Sequence, residues 1–291
     1  MSQQVKIVFP IDFSQFSEIA FETAQYLAKV YEGELFILHV LEAPVGPARL
    51  LGGFNESDAR KEATKMIEEY FAKHGDDSIP FTPVVKVGKA HRQIVKAATE
   101  LNANAVVMGT HGASGFQELF AGSNASRVIS HAPCPVITIR QEPDHLDYKK
   151  ILVPLDLTRE TGEKLKLSVE FAEVFGGELV VMSVLQNEDP EVKKRLNKRL
   201  KMAVDYVRKH NVMVSSSLIV SKDSLSDTVT KYGEEIGADL IVIMTQQEKA
   251  WRESILGTQA TRVVNHSNIP VLSIKPSREY KESSFASPIF S

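Results

Sequence analysis

Apolar residues in this chain come in short unbroken runs that alternate with stretches of helical spacing, and the alternation predicts strands and helices in turn. Residues 5–11, apolar but for Lys6, form a run of the kind buried in a parallel sheet. Ser14 then reads as an N-cap, Ala20, Ala24, Leu27, Ala28 and Tyr31 fall on one helical face, Gly33 reads as the stop, and 34–40 as the next strand. The pattern continues with a helix over 58–74, a strand at 82–87, and a helix from His91 whose Ile94, Ala97, Ala98 and Leu101 share a face. A strand at 105–108, a helix over 123–130 and a strand at 135–139 complete the series.

The same order then repeats, with strands at 150–155, 178–184, 214–220, 239–244 and 270–274. Asp189 as N-cap and Pro190 at the first helical position lead into the stripe Leu196, Leu200, Ala203, Val204 and Val207. The repeat is visible in the residues themselves: Ile7-Val8-Phe9-Pro10-Ile11-Asp12 is answered by Ile151-Leu152-Val153-Pro154-Leu155-Asp156, and His131-Ala132-Pro133 by His266-Ser267-Asn268. The period is too long for a solenoid, so each copy is expected to be a domain, and 291 residues suit two. Strands alternating with helices require right-handed crossovers and a covered parallel sheet.

Composition narrows the function classes. With 43% hydrophobic and 24% charged residues the chain is of ordinary globular type. A net charge of −3 offers no general attraction for nucleic acid. No apolar run is long enough for a membrane span, no leader pattern opens the chain, and the single Cys134 suits a reducing compartment, so a cytoplasmic location is expected. No Cys/His cluster has metal-ligand spacing, and His39, His131 and His266 are not read as ligands.

The chemistry-bearing feature is a glycine spacing. Where the run Ala105-Val106-Val107-Met108 ends, Gly109-Thr110-His111-Gly112 follows, and after nine more residues comes Gly122-Ser123. Glycines let a backbone approach a ligand, and a helix beginning at Gly122-Ser123 offers free N–H groups and a dipole that favours negative charge, so the spacing suits phosphate. Asp12, at the tip of the first strand, can accept from ribose or adenine donors, although it can equally cap the first helix. Val40, after the second strand, can pack on a base.

These residues resemble the universal stress proteins in their tandem two-domain form, over roughly residues 5–140 and 149–275. The resemblance rests chiefly on that family's nucleotide motif, a glycine, two residues, a glycine, nine residues, then Gly-Ser or Gly-Thr, which Gly109, Gly112, Gly122 and Ser123 match. It implies an α/β fold of two tandem doubly wound open parallel-sheet domains, Rossmann-like and adenine nucleotide alpha-hydrolase-like. The expected bounds are 1–140 and 149–276, with a linker at 141–148 and a tail at 277–291. It further implies ATP, or AMP or ADP, with or without Mg2+, held by Pro10, Asp12, Val40, Met108, Gly109, His111, Gly112, Gly122, Ser123, Asn124 and Ala125. Pairing of the two domains within the chain, homodimerisation through the last strand, slow ATP hydrolysis and autophosphorylation are further implications.

Two departures refine the expectation. After Gly122-Ser123 the family commonly places an apolar residue and then a hydroxyl, whereas this chain has Asn124 and Ala125, with a hydroxyl at Ser126. In the second copy Met244 and Gln247 stand where Gly109 and Gly112 stand in the first, although Gly257-Thr258 is retained, so that copy is expected to bind ATP weakly or not at all. Its Asp156 and Val184 then read as a helix cap and a core residue. No general base faces a water site, so a nucleotide-binding stress regulator read by an unknown protein partner is expected rather than an efficient enzyme. The alternatives are a slow ATPase using Asp12 and magnesium, with Ser114, Ser123 or Ser126 as phosphoryl acceptors, and a nucleotide-free interaction module. The series Lys193, Lys194, Arg195, Lys198, Arg199 and Lys201 reads as a solvated helix face, the loop around 43–57 as a cover or a mobile insert, and the tail as frayed.

Overall fold

Strands buried on both faces need apolar residues at successive positions, and each run read above becomes one. In a computed structural model of the chain, residues 4–42, 55–110, 123–158, 161–187, 189–245 and 258–276 are described. They form two compact units, Met1–Glu142 and Pro143–Ser291. The first contains β1 (Lys6–Ile11), α1 (Gln15–Val30), β2 (Glu34–Leu41), α2 (Glu56–His74), β3 (Phe81–Val87), α3 (Ala90–Glu100), β4 (Ala105–Gly109), α4 (Ser123–His131) and β5 (Val136–Ile139). Its sheet is parallel with the order β3-β2-β1-β4-β5. The chain builds outward from β1 in one direction and then returns to its other side for β4. This reversal opens a crevice beyond the carboxyl ends of β1 and β4, where ligands of open α/β sheets sit.

The second unit repeats the plan with β6 (Lys150–Pro154), α5 (Thr161–Phe175), β7 (Glu178–Leu185), α6 (Pro190–Lys209), β8 (Met213–Val220), α7 (Leu225–Glu235), β9 (Leu240–Met244), α8 (Thr258–His266) and β10 (Val271–Ile274). Its parallel order, β10-β9-β6-β7-β8, places the reversal between β6 and β9. The fold is thus α/β, with two tandem Rossmann-like units.

Local chemistry explains the element ends. Ser14 caps α1, its Oγ accepting from the Ser17 N–H at 3.4 Å, and Asp189 caps α6, accepting from the Glu191 and Val192 N–H groups at 2.8 and 3.3 Å. Gly33 is needed for a reason other than ending α1. The left-handed residue there is Glu32, with φ 47°, while a Cβ on Gly33 would lie 2.6 Å from the Val5 carbonyl oxygen. Tyr148, at the end of the stretch read as a linker, is fully buried against Phe171 and Phe175, with ring centroids 5.6 and 5.4 Å apart. His145 from the same stretch reaches Asp147 at 2.6 Å and Asp239 at 3.3 Å.

The two units differ around their first helices. A Cβ on Gly109 would stand 2.4 Å from the Phe16 carbonyl oxygen, so the bare residue admits the first turn of α1 over the end of β4. In the second unit Met244 takes the corresponding place and is buried, and Thr161 of α5 is the counterpart of Ser17. Three residues into α5, Lys164 is only 3% exposed where the first unit has the buried Ala20. Its ammonium donates to the Pro154 carbonyl. Burial pulls the Lys164 amine below its ordinary value, against the attraction of Asp156. At Asp156 burial pushes upward, but Lys164 and hydrogen bonds from Thr158 and Thr161 outweigh it and hold the carboxyl below its usual range.

Two outcomes follow from these contacts. Gly109→Ala is expected to cost about 1–3 kcal/mol through overpacking against Phe16, seen as a lower urea midpoint of the full chain without any nucleotide. Lys164→Ala, which leaves Asp156 half-buried without its cation, is expected to cost about 3 kcal/mol or more, with part of the loss recovered on adding Asp156→Asn. Because the folded carboxyl of Asp156 is depressed, its contribution is fully present above the ordinary carboxylate value of about 4. It disappears as pH falls through the lower folded value, and a pH series of urea midpoints reads this.

Candidate functional site

Of the described members of the predicted set, Pro10, Asp12, Val40, Met108 and Gly109 lie in or directly beyond β1, β2 and β4, and Ser123, Asn124 and Ala125 lie in the first turn of α4. Asp12 lies immediately beyond β1 and is exposed. Its Oδ1 accepts from the Ser14 N–H at 3.0 Å and from the Ser14 hydroxyl at 2.5 Å, an Asx turn that carries the chain into α1. Asp12 therefore braces the residue that caps the helix and does not cap it directly. Pro10 pairs with Leu38 inside the β1–β2 ladder. Val40 was expected just after the second strand but lies within β2, paired with Lys86 and half-buried.

The turn after Asp12 is held from several sides. Phe13 has φ 58°, a left-handed conformation that costs a bulky residue about 1–3 kcal/mol. Its ring packs against His39 and Tyr70, at centroid distances of 5.1 and 6.0 Å. His39 in turn donates through Nδ1 to the Ile11 carbonyl at 2.8 Å, tying β2 to the end of β1. Sequence reading did not mark Phe13 or His39 as supports, because nothing in their spacing tells that two strand ends meet there. In the second unit Ser183 takes the place of His39 and donates to the Leu155 carbonyl at 2.9 Å, and Leu157 does not share the left-handed backbone of Phe13.

At β4, Met108 is buried and pairs with Thr138, and Gly109 closes the strand opposite Ile139. Packing against Phe16 is reason enough for the glycine, whatever else it serves. Thr110 is buried, and its N–H donates to the Ile139 carbonyl at 3.0 Å. His111, Gly112, Ser114 and Gly122 lie outside the described residues, as do Gln247, Gly257, the loop at 43–54 and the tail at 277–291. Ser123 heads α4, followed by the exposed Asn124 and the buried Ala125. Asn124 Oδ1 stands 3.3 Å from Nδ1 of His91, at the start of the neighbouring α3. Sequence reading missed that link too, since the two positions are 33 residues apart.

In the second unit the corresponding carboxylate is committed elsewhere. Asp156 Oδ1 accepts from the Thr158 N–H, the Thr158 hydroxyl and the Thr161 hydroxyl at 2.9, 2.5 and 2.8 Å, with Lys164 supplying positive charge from beneath. Val184 is half-buried rather than a full core residue. Arg199, expected on a solvated face, is 9% exposed and donates to the Leu157 and Thr158 carbonyls at 3.2 and 3.3 Å. A helix-face pattern cannot anticipate this, because the acceptors sit on a turn some 40 residues away.

Among the described residues no helix is long and apolar enough to cross a membrane, and no group of His, Cys, Asp and Glu is arranged to hold a metal ion. Burial pushes the Cys134 thiol up to about 12, which keeps it protonated and unreactive.

The sequence pattern of the universal stress protein family matches residues 5–140 and again 147–275. Universal stress protein YxiE of Bacillus subtilis is 30% identical over 145 residues, spanning 46% of this chain and 98% of that protein. Universal stress protein MJ0577 of Methanocaldococcus jannaschii is 27% identical over 154 residues, spanning 47% and 95%. A universal stress protein from Archaeoglobus fulgidus shares the fold over 94% of this chain and 97% of its own, with a TM-score of 0.75 at 20% identity. A further Archaeoglobus fulgidus member, solved in complex with dAMP, is 24% identical and covers 44% of this chain and 98% of its own, with a TM-score of 0.39. Carrying the pattern in both halves, the chain belongs to the universal stress protein family.

Proposed function

We propose that the amino-terminal unit binds an adenine nucleotide, ATP or its relatives AMP and ADP, and that the chain serves as a cytoplasmic stress-response regulator whose bound state a protein partner reads. The second unit supports assembly and takes no nucleotide. One observation carries this reading: the two copies treat the same crevice differently. In the first, the carboxylate beyond the central strand is exposed and the neighbouring strand ends in glycine. In the second, the carboxylate is engaged by two threonines and a buried lysine, and the neighbouring strand ends in a buried methionine. An exposed carboxylate can accept from a ribose or an adenine amine beside its bonds to Ser14, while one drawn in beside a buried lysine gains little by exchanging partners.

Regulation fits better than turnover. Asp12 lies immediately beyond β1 and already accepts two hydrogen bonds from Ser14, so its Oδ1 is committed to the turn and not aimed at a water. A nucleotide that stays bound can shift the population of loop arrangements by its differential affinity for them.

Calorimetry on the full chain is expected to find a single ATP site. Asp12→Ala should weaken it about tenfold, the loss of a charge-assisted bond, Gly112→Leu should abolish it, and Asp156→Asn should leave it unchanged. With labelled ATP, the protein should retain nucleotide without turning it over many times per hour. An unaltered protein that binds no ATP, or an Asp156→Asn variant that loses binding as Asp12→Ala does, would overturn the reading.

A further inference from the structure

The first turn of α3 carries charge of the wrong sign for its position. The exposed N-terminal N–H groups of a helix favour carboxylates, yet the cap before α3 is Lys89, which makes no side-chain hydrogen bond, and the first turn holds His91 and Arg92 and no acidic residue. Helix α4 packs alongside, bringing Asn124 to 3.3 Å from His91 and Arg127 one turn further on. The crowding is felt at His91. Partial burial lowers its pKa first, the bond to Asn124 opposes this, and the positive charges of Arg127, Arg92 and Lys89 lower it further. Among the described residues no carboxylate pairs with Lys89, Arg92 or Arg127, although Lys86 and Lys96 beside the same helix both pair with Glu100, at 2.7 and 3.7 Å.

The second unit supplies an internal control. Helices α3 and α7 are both preceded by an extended cap residue and end at Leu101 and Ile236, so Lys89 corresponds to Ser224, His91 to Ser226 and Arg92 to Asp227. The contact between neighbouring helices is kept: the Ser226 N–H donates to Gln259 Oε1 at 3.2 Å, where His91 meets Asn124. The charge is not kept. Ser224 caps α7 by accepting from the Asp227 N–H at 3.1 Å, and Asp227 provides the acidic first turn that the dipole favours. Arg262 matches Arg127, so the reversal is confined to the start of α3. The unfavourable arrangement occurs in the copy that keeps Gly109, Gly112 and Gly122, and the ordinary one in the copy that has lost two of the three matching glycines.

We propose that Lys89, His91 and Arg92 of α3, together with Arg127 of α4, form a cationic rim that receives the outer phosphates of the nucleotide and makes the amino-terminal unit prefer tri- and diphosphates to monophosphates. The inference rests on the nucleotide reading above and adds which end of the ligand the chain distinguishes. Its physical basis is proximity: Asn124 belongs to the first turn of α4, and α4 starts directly after the Gly122 of the phosphate-suited spacing, so His91 is one hydrogen bond away from that turn. A polyanion there would relieve the mutual repulsion of Lys89, Arg92 and Arg127 and favour a proton on His91.

The test is calorimetry of the full chain with ATP, ADP, AMP and adenosine at two salt concentrations, for the unaltered protein, Lys89→Gln with Arg92→Gln, His91→Gln and Arg127→Gln. Lys96→Gln, on the same helix but paired with Glu100, serves as the control. Each rim variant is expected to weaken ATP on the order of tenfold and AMP less than about twofold, with a shallower dependence on salt in the lysine and arginine variants, while Lys96→Gln changes neither. Unchanged ATP affinity in the rim variants, or equal losses for ATP and AMP, overturns the rim alone. No binding of any nucleotide by the unaltered protein overturns the nucleotide reading and the rim with it.

Discussion

The Phe16 carbonyl stands in the space that any side chain on residue 109 would need, and the arrangement of the first unit depends on that approach. Because β4 ends in a bare residue, the first turn of α1, from Gln15, can settle over the end of β4. The chain then has only two residues between Asp12 and the helix, and it makes the turn with Phe13 in a left-handed conformation and Ser14 braced by Asp12. Asp12 is left at the surface of the crevice as a result. A buried methionine stands at the matching position in the second unit, where the turn after the strand is supported differently.

Electrostatics then separates the copies further. In the second unit a lysine beneath the helix and two threonine hydroxyls satisfy the carboxylate at the crevice, and Arg199 donates to the same turn. Buried charges remain tolerable only when their partners are close, so this crevice is stabilised by its own side chains. In the first unit the corresponding helix position is Ala20, which provides no internal cation. The positive charge of that unit lies instead at the start of α3, on exposed lysine and arginine side chains and a half-buried histidine. One duplicated plan has thus placed its cations inside in one copy and at the rim in the other.

Much of the plan was legible from spacing. Ser14 and Asp189 as caps, the stripe Leu196, Leu200 and Ala203, and the runs that become β1 and β6 all follow from local rules of helix ends and buried strands, which act within a few residues. The errors share one cause. Gly33 reads as a helix stop, and its N–H does close α1, yet it must be bare because it lies against Val5; Arg199 reads as solvated, yet it crosses to another turn; and Tyr148 reads as linker, yet it is a core residue. Each depends on a partner distant in sequence.

By itself the sequence determined the duplication, the alternation of strands and helices, and the presence of a phosphate-suited glycine spacing in one copy only, because periodicity and turn chemistry are properties of neighbouring residues. The tertiary structure alone decided which carboxylate stays exposed, that Gly109 also makes room for a helix, that Lys164 lies beneath Asp156, and that His91 meets Asn124. Those outcomes depend on which strand ends and helix starts come together across the sheet, and a residue's burial and charge environment exist only once they have done so.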